Sequence, residues 1–150
     1  MTSSGPPPPV PGQCSTCHNV TDAGSDFLPN SQRDIGVGGH AARDSLNGPP
    51  PAPDLPVFEL SGCPPGTLLG NPTRTSVTTN DPGKALITRK CRDIGQITVP
   101  SLRALAAHEP YFNDGSATTL LEVVNFYNNR FNIGLTELEK HDLVNFMNAL

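Results

Sequence analysis

The sequence predicts a mainly α domain with long loops and a small β-hairpin, and three observations carry that prediction. Two capping boxes, Thr119 with Glu122 and Thr136 with Glu139, each open an amphipathic run in the last third of the chain. All 17 Pro and all but one of the 14 Gly precede the first box, so the earlier residues are largely turn and irregular chain. The hydrophobic share is only 35% and there is no Trp, yet six of the eight aromatics (Tyr111, Phe112, Phe126, Tyr127, Phe131 and Phe146) follow position 110, which places the densest core there.

In chain order, residues 1–12 hold Pro6, Pro7, Pro8, Pro9 and Pro11 and read as a proline-rich tail or linker of polyproline II character; residues 13–150 read as the domain proper. From Asn19 to about Asn80 the chain is loop-like, with Gly36, Gly38 and Gly39 close together and a second proline cluster at Pro49, Pro50, Pro51 and Pro53. The β-compatible pieces Leu55–Leu60 and Thr75–Thr79 suit a hairpin. Asp81-Pro82-Gly83 is a turn, Lys84–Arg89 a short helix, and Pro100 fits the first position of a helix through Ala106. Asn113-Asp114-Gly115 is a further turn. Behind the first capping box, Leu120, Val123, Val124 and Tyr127 share one helix face; behind the second, Leu143, Phe146, Met147 and Leu150 form the inward stripe. That makes about four short helices. Irregular stretches this long either wrap something or carry function.

The net charge of −4, with ten Lys and Arg that read as spread singly, argues against nucleic acid or an anionic membrane as partner. No run of 18 apolar residues occurs, so no membrane span is expected, and the N-terminus has neither the charged nor the apolar segment of a signal peptide.

The chemistry-bearing motif is Gln13-Cys14-Ser15-Thr16-Cys17-His18-Asn19. Cys-x-x-Cys-His places two thiols one helical turn apart, so that both reach the vinyl groups on one porphyrin edge, and it puts the adjacent His under the iron as proximal ligand. Zinc would need a second pair of soft ligands at similar spacing, and Cys63 and Cys91 are far apart with no His within a few residues of either. A redox dithiol would sit at a strand-to-helix junction in a βαβ pattern, which this sequence lacks. The spacing therefore favours covalent haem c on Cys14 and Cys17, with His18 as axial ligand, over a zinc or dithiol site. Haem is attached in an oxidising compartment, where the two remaining cysteines, Cys63 and Cys91, are a candidate disulfide; two unpaired thiols are the alternative.

The C-terminal half carries a more specific signature. Asp81-Pro82-Gly83-Lys84-Ala85-Leu86-Ile87, Asp93-Ile94-Gly95, Val99-Pro100-Ser101-Leu102-Arg103, Pro110-Tyr111-Phe112-Asn113-Asp114-Gly115-Ser116, and Thr119-Leu120-Leu121-Glu122-Val123-Val124-Asn125-Phe126-Tyr127 together resemble the C-terminal haem domain of the bacterial di-haem cytochrome c peroxidase and MauG family. The resemblance implies a cytochrome c-like fold that holds an electron-transfer haem, with a separate domain bearing the haem that meets peroxide. This chain has a single Cys-x-x-Cys-His, so the resemblance implies the electron-transfer half, with little peroxidase turnover expected alone. It also implies a periplasmic location. The sequence departs from the family pattern in two places. Proline replaces the helix that usually precedes the haem motif and crosses the last helix, and Asn113 stands where the family usually carries His.

For the sixth iron position, Tyr127 aligns with the site where peroxidases of this family place Met and the MauG type places Tyr; its alternative role is a core tyrosine on the Leu120 face. Met147 is the other thioether candidate, otherwise a core residue. His40, His108 and His141 are candidates for bis-His ligation. By the same resemblance, backbone carbonyls of His108 and Pro110 are candidate ligands of a calcium ion. The leading expectation is a single-electron c-type haem domain whose partner is a redox protein or a second haem domain. The alternatives are a stand-alone mono-haem carrier and a non-haem metal or dithiol module using the same cysteines.

Overall fold

The computed structural model describes residues 14–18, 32–37, 54–68 and 73–150. The expectations for the proline-rich residues 1–12, the second proline cluster, Gly38, Gly39 and His40 fall outside these segments. The described chain forms a one-turn 3-10 helix at Cys14–Thr16, strands β1 (Gln32–Arg33), β2 (Phe58–Ser61) and β3 (Ser76–Thr79), and helix α1 (Ala85–Thr88). A 3-10 turn at Cys91–Asp93, strand β4 (Ile97–Thr98), a 3-10 turn at Leu105–Ala107, and helices α2 (Leu120–Phe131) and α3 (Glu137–Asn148) complete it.

β2 and β3 pair antiparallel, with Phe58 opposite Thr79 and Leu60 opposite Val77, which is the hairpin expected from the sequence. The alternation turns Val77 and Thr79 inward, and a small core forms from Cys63, Leu68, Val77, Ala85 and Ile94, with Leu60 and Cys91 against it. Cys63 and Cys91 are joined by a disulfide with Cα atoms 5.5 Å apart, which ties the hairpin to the turn after α1. The passage from β3 to α1 is fixed locally: the Asp81 amide donates to the Thr79 hydroxyl and the Gly83 amide to the Asp81 carboxylate, both at 3.0 Å.

A second core holds Tyr111, Ala117, Leu120, Val124 and Met147, bordered by Leu105, Val123, Leu135, Leu143 and Val144. It is the α2–α3 interface. Both capping boxes are present, each with the threonine hydroxyl accepting from the Glu amide and the Glu carboxylate accepting from the threonine amide. α2 ends at Asn132, which takes the left-handed conformation (φ 51°), and the Leu135 amide donates to the Asn128 side chain at 2.8 Å, turning the chain into α3.

Two expectations are corrected, and one element is new. Residues 100–106 do not form a helix: the Ser101 hydroxyl accepts the Arg103 amide (3.2 Å) and Ala104 adopts φ 56°, so only the turn Leu105–Ala107 closes. The α3 stripe is rotated, because Leu143, Val144 and Met147 face α2 while Phe146 and Leu150 are exposed. The unforeseen element is the β1–β4 pair, Gln32 opposite Thr98 and Arg33 opposite Ile97, which brings an early segment against the middle of the chain.

Candidate haem site

The Cys14–His18 segment is one closed turn. The Cys14 carbonyl accepts from the Cys17 amide at 3.1 Å and from the His18 amide at 2.9 Å, so the two cysteines stand at the two ends of a single turn and His18 follows directly. Cys14 is exposed, while Cys17 and His18 are half-buried. A turn already closed in this way presents both thiols together, as a two-point covalent attachment requires.

Tyr127 is the second component. The capping box starts α2 at Leu120, and two turns later the helix carries Tyr127. Its phenol is pushed up to about 12, first by burial and then by the proximity of Cys17 and Cys14, whose thiolate charges oppose a phenolate. The cysteine turn and Tyr127, 109 positions apart in the sequence, therefore share one neighbourhood.

Around Tyr127 lies a set of half-buried rings. Phe126 meets it edge-on at 5.4 Å, Phe131 stacks at 5.9 Å, and Phe112 is tilted at 6.2 Å while meeting Phe126 at 4.8 Å. Phe112 has φ 67°, an uncommon conformation for a bulky residue, and this turns its ring onto α2 from the Pro110–Gly115 loop. These half-buried rings, of which Phe112 also packs against the second core, form an apolar surface suited to a flat aromatic macrocycle. With two thiols, one imidazole and one phenol, the donor set and the apolar face both fit haem c.

Arg130 closes this region. Its Nε donates to the Ile35 carbonyl at 3.0 Å and its guanidinium lies 5.1 Å over the Phe131 ring. Burial lowers its pKa while Asp34 opposes that shift. Neither Arg130 nor Phe112 was singled out from the sequence. A signal did exist for the partner segment: Arg33-Asp34-Ile35-Gly36 recurs as Arg92-Asp93-Ile94-Gly95, each with its Gly at positive φ (94° and 71°), and the two copies flank the β1–β4 pair.

The other candidates lie elsewhere. Met147 is buried in the α2–α3 core with Tyr111, Leu120 and Val124. His108 and His141 are exposed, the latter on α3 near Glu137, and Asn113 is exposed in its turn. Among the described residues no group of three or more His, Cys, Asp or Glu side chains converges as a metal cage would, and no helix is long and apolar enough to cross a membrane.

Comparison with known proteins points the same way. No family model matches the chain. The chain is 40% identical over 81 residues to cytochrome-c peroxidase IdrP1 of Denitromonas iodatirespirans, and 35% identical over 81 residues to IdrP1 of Pseudomonas sp. (strain SCT). It is 38% identical over 77 residues to IdrP2 of D. iodatirespirans. Each match takes in 47% of this chain but only 21–22% of the relative, so the chain matches about a fifth of the length of these proteins. Among solved structures, a MauG-like protein associated with microbial copper homeostasis shares the fold, with TM-score 0.54 and 23% identity over 93% of this chain and 42% of that one. These findings support the resemblance to the di-haem cytochrome c peroxidase and MauG family over part of the chain.

Proposed function

We propose, from that kinship, that the chain is a c-type haem domain that passes single electrons and corresponds to the electron-transfer part of a peroxidase-like or MauG-like protein. The observation that most supports this reading is the electrostatic influence of Cys17 and Cys14 on the Tyr127 phenol, since two attachment points and a candidate distal donor that near one another would suit a single haem covered by the half-buried rings beside Tyr127. Cys14 and Cys17 would hold the haem by thioether bonds, His18 would be the proximal ligand, and Tyr127 the distal one. The bound group would supply a one-electron couple. The roles of the chain are to anchor it at two points, to cover it with Phe112, Phe126 and Phe131, and to present a hard oxygen donor that favours the ferric state.

Full peroxidase turnover would belong to a longer assembly that also contains a second haem domain. The same kinship suggests a periplasmic setting, and makes a redox protein or that second domain the natural partner. A calcium ion held by the His108 and Pro110 carbonyls would belong to the same assembly.

The test is expression with the haem-maturation machinery followed by intact mass measurement. The expected result is a mass increment of one haem, absent in Cys14→Ala with Cys17→Ala. A red-free chain of unmodified mass would overturn the reading in favour of a non-haem site. Low-temperature EPR of the ferric protein then tests the distal ligand: Tyr127→Phe should replace the spectrum, and an unchanged signal would exclude Tyr127.

A further inference from the structure

The net charge of −4 would by itself select a basic partner, yet one face of the domain has the opposite character. Four of the ten Lys and Arg, namely Lys84, Arg89, Lys90 and Arg92, fall within residues 84–92, where the cations had read as spread singly. Arg89, Lys90 and Arg92 are exposed. No acidic residue lies between Asp81 and Asp93, and both of these carboxylates are turned inward, at 6% and 7% exposure. Asp81 accepts the Gly83 amide, and Asp93 lies 3.8 Å from Arg92, the one member of the group it partly offsets. In the middle of these cations α1 lifts Leu86 and Ile87 into water at 61% and 86% exposure, while Ala85 on the other side of the same turn is buried in the first core.

The knob stands on a stiff base. The disulfide of Cys91 with Cys63 holds its far end. The Lys84 amide donates to Gln96 at 3.0 Å and the Gly95 amide to Pro82 at 3.1 Å, which holds its near end. A surface fixed before binding loses little conformational freedom on docking. Two apolar side chains with a charged rim are far too small for a permanent complex, and they suit the brief encounters typical of electron carriers. A second copy placed face to face would oppose cation with cation. A flat anionic membrane would also meet the acidic remainder of the domain. A small partner touches the patch alone.

We infer that residues 84–92 dock a small electron carrier whose contact face is apolar at its centre and acidic at its rim. This deepens the electron-transfer reading above and rests on it. The patch is joined to the candidate site through Gln96 and the β1–β4 pair to Ile35, which Arg130 holds against the Tyr127 rings.

The experiment uses the haem-loaded full chain and two reduced carriers of opposite charge, an acidic blue-copper protein and a basic c-type cytochrome, mixed by stopped flow at low and high salt. The acidic carrier should react faster at low salt and slow as salt rises. Arg89→Glu with Lys90→Glu should slow it by about tenfold or more without slowing the basic carrier. Ile87→Ser should slow it less steeply and independently of salt. A faster basic carrier, or charge reversal without effect, overturns the inference. So does sedimentation with phosphatidylglycerol vesicles that Ile87→Ser abolishes while carrier rates stay unchanged. Amide shifts of the labelled chain on adding the acidic carrier separate the two readings: shifts at 84–92 without electron transfer uphold docking and overturn the electron-transfer role, whereas electron transfer that survives charge reversal does the opposite.

Discussion

Arg130 on α2 donates its Nε hydrogen to the carbonyl of Ile35, 95 positions earlier, at 3.0 Å. Together with the β1–β4 pair, this bond holds residues 32–37 beside the Tyr127 rings. Arg130→Met keeps much of the aliphatic stem and removes the donor, leaving a partly buried carbonyl unpaired. A loss of about 1–2 kcal/mol is expected in urea denaturation, with increased amide exchange concentrated at 32–37. Arg130→Lys should not restore it fully, since a flexible ammonium cannot both reach Ile35 and stack on Phe131. Protection at 32–37 that survives Arg130→Met would show that β-pairing alone positions the segment.

The two tyrosines give a direct optical test, because the chain has no Trp. Burial raises Tyr111, with Glu109 adding to it, and burial raises Tyr127 to about 12, with Cys17 and then Cys14 adding to it. In the haem-free folded chain neither phenol should ionise near its ordinary value of 10. Cys14→Ser with Cys17→Ser should move Tyr127 down part of the way, since burial, the larger cause, remains. A folded pKa above the unfolded one contributes stability that is complete below pH 10 and is lost as pH rises from 10 through about 12. Thermal melts across that window should therefore show falling stability. A phenol that titrates normally in the folded chain would place Tyr127 in open water and remove it from the site.

The parts of the fold that were legible in the sequence are those specified locally. Thr119 with Glu122 and Thr136 with Glu139 set two helix starts within one turn each, and the structure keeps both. The hairpin was legible because alternation and turn residues bracket it. The helix expected from Pro100 failed because the Ser101 hydroxyl captures the Arg103 amide and Ala104 turns left-handed, a competition that helix propensity does not register. The orientation of α3 was missed for a different reason. Phe146 and Met147 are equally apolar in the sequence, and only packing against Leu120 and Val124 decides which is buried. At the site, the cysteine turn is written in five consecutive residues. Phe112, Ile35 and Arg130 reach it through long-range contacts and a positive φ that no short string encodes.

The Cys63–Cys91 bridge belongs to one core and not to the other. It closes a loop of 28 residues and joins β2–β3 to the turn after α1, while no residue of the α2–α3 core lies inside that loop. Cys63→Ala with Cys91→Ala should cost roughly 3–4 kcal/mol on the chain-entropy account. The loss should not be uniform. Amide exchange in Phe58–Ser61 and Ser76–Thr79 is expected to rise well before that in Leu120–Phe131, whose contacts are with α3. Equal loosening of both regions would show that the two cores unfold as one unit.

Gly83 tests how tightly the base of the α1 knob is built. It has φ +56°, and a Cβ added there would fall 2.7 Å from the Gln96 carbonyl oxygen and 2.9 Å from its amide nitrogen, both backbone atoms that cannot swing aside. Gly134 is the internal control, with φ +83° and nothing within 4 Å of an added Cβ. Gly134→Ala should therefore cost only the conformational penalty, about 1 kcal/mol. Gly83→Ala adds the clash and must push residues 82–84 away from 95–96, straining the Lys84–Gln96 and Gly95–Pro82 hydrogen bonds; roughly 2–4 kcal/mol is expected. The difference between the two variants, read from urea midpoints at unchanged slope, isolates the close approach from the positive φ. Equal costs would mean that the turn relaxes freely, and a base that relaxes freely would not hold Leu86 and Ile87 in a fixed position.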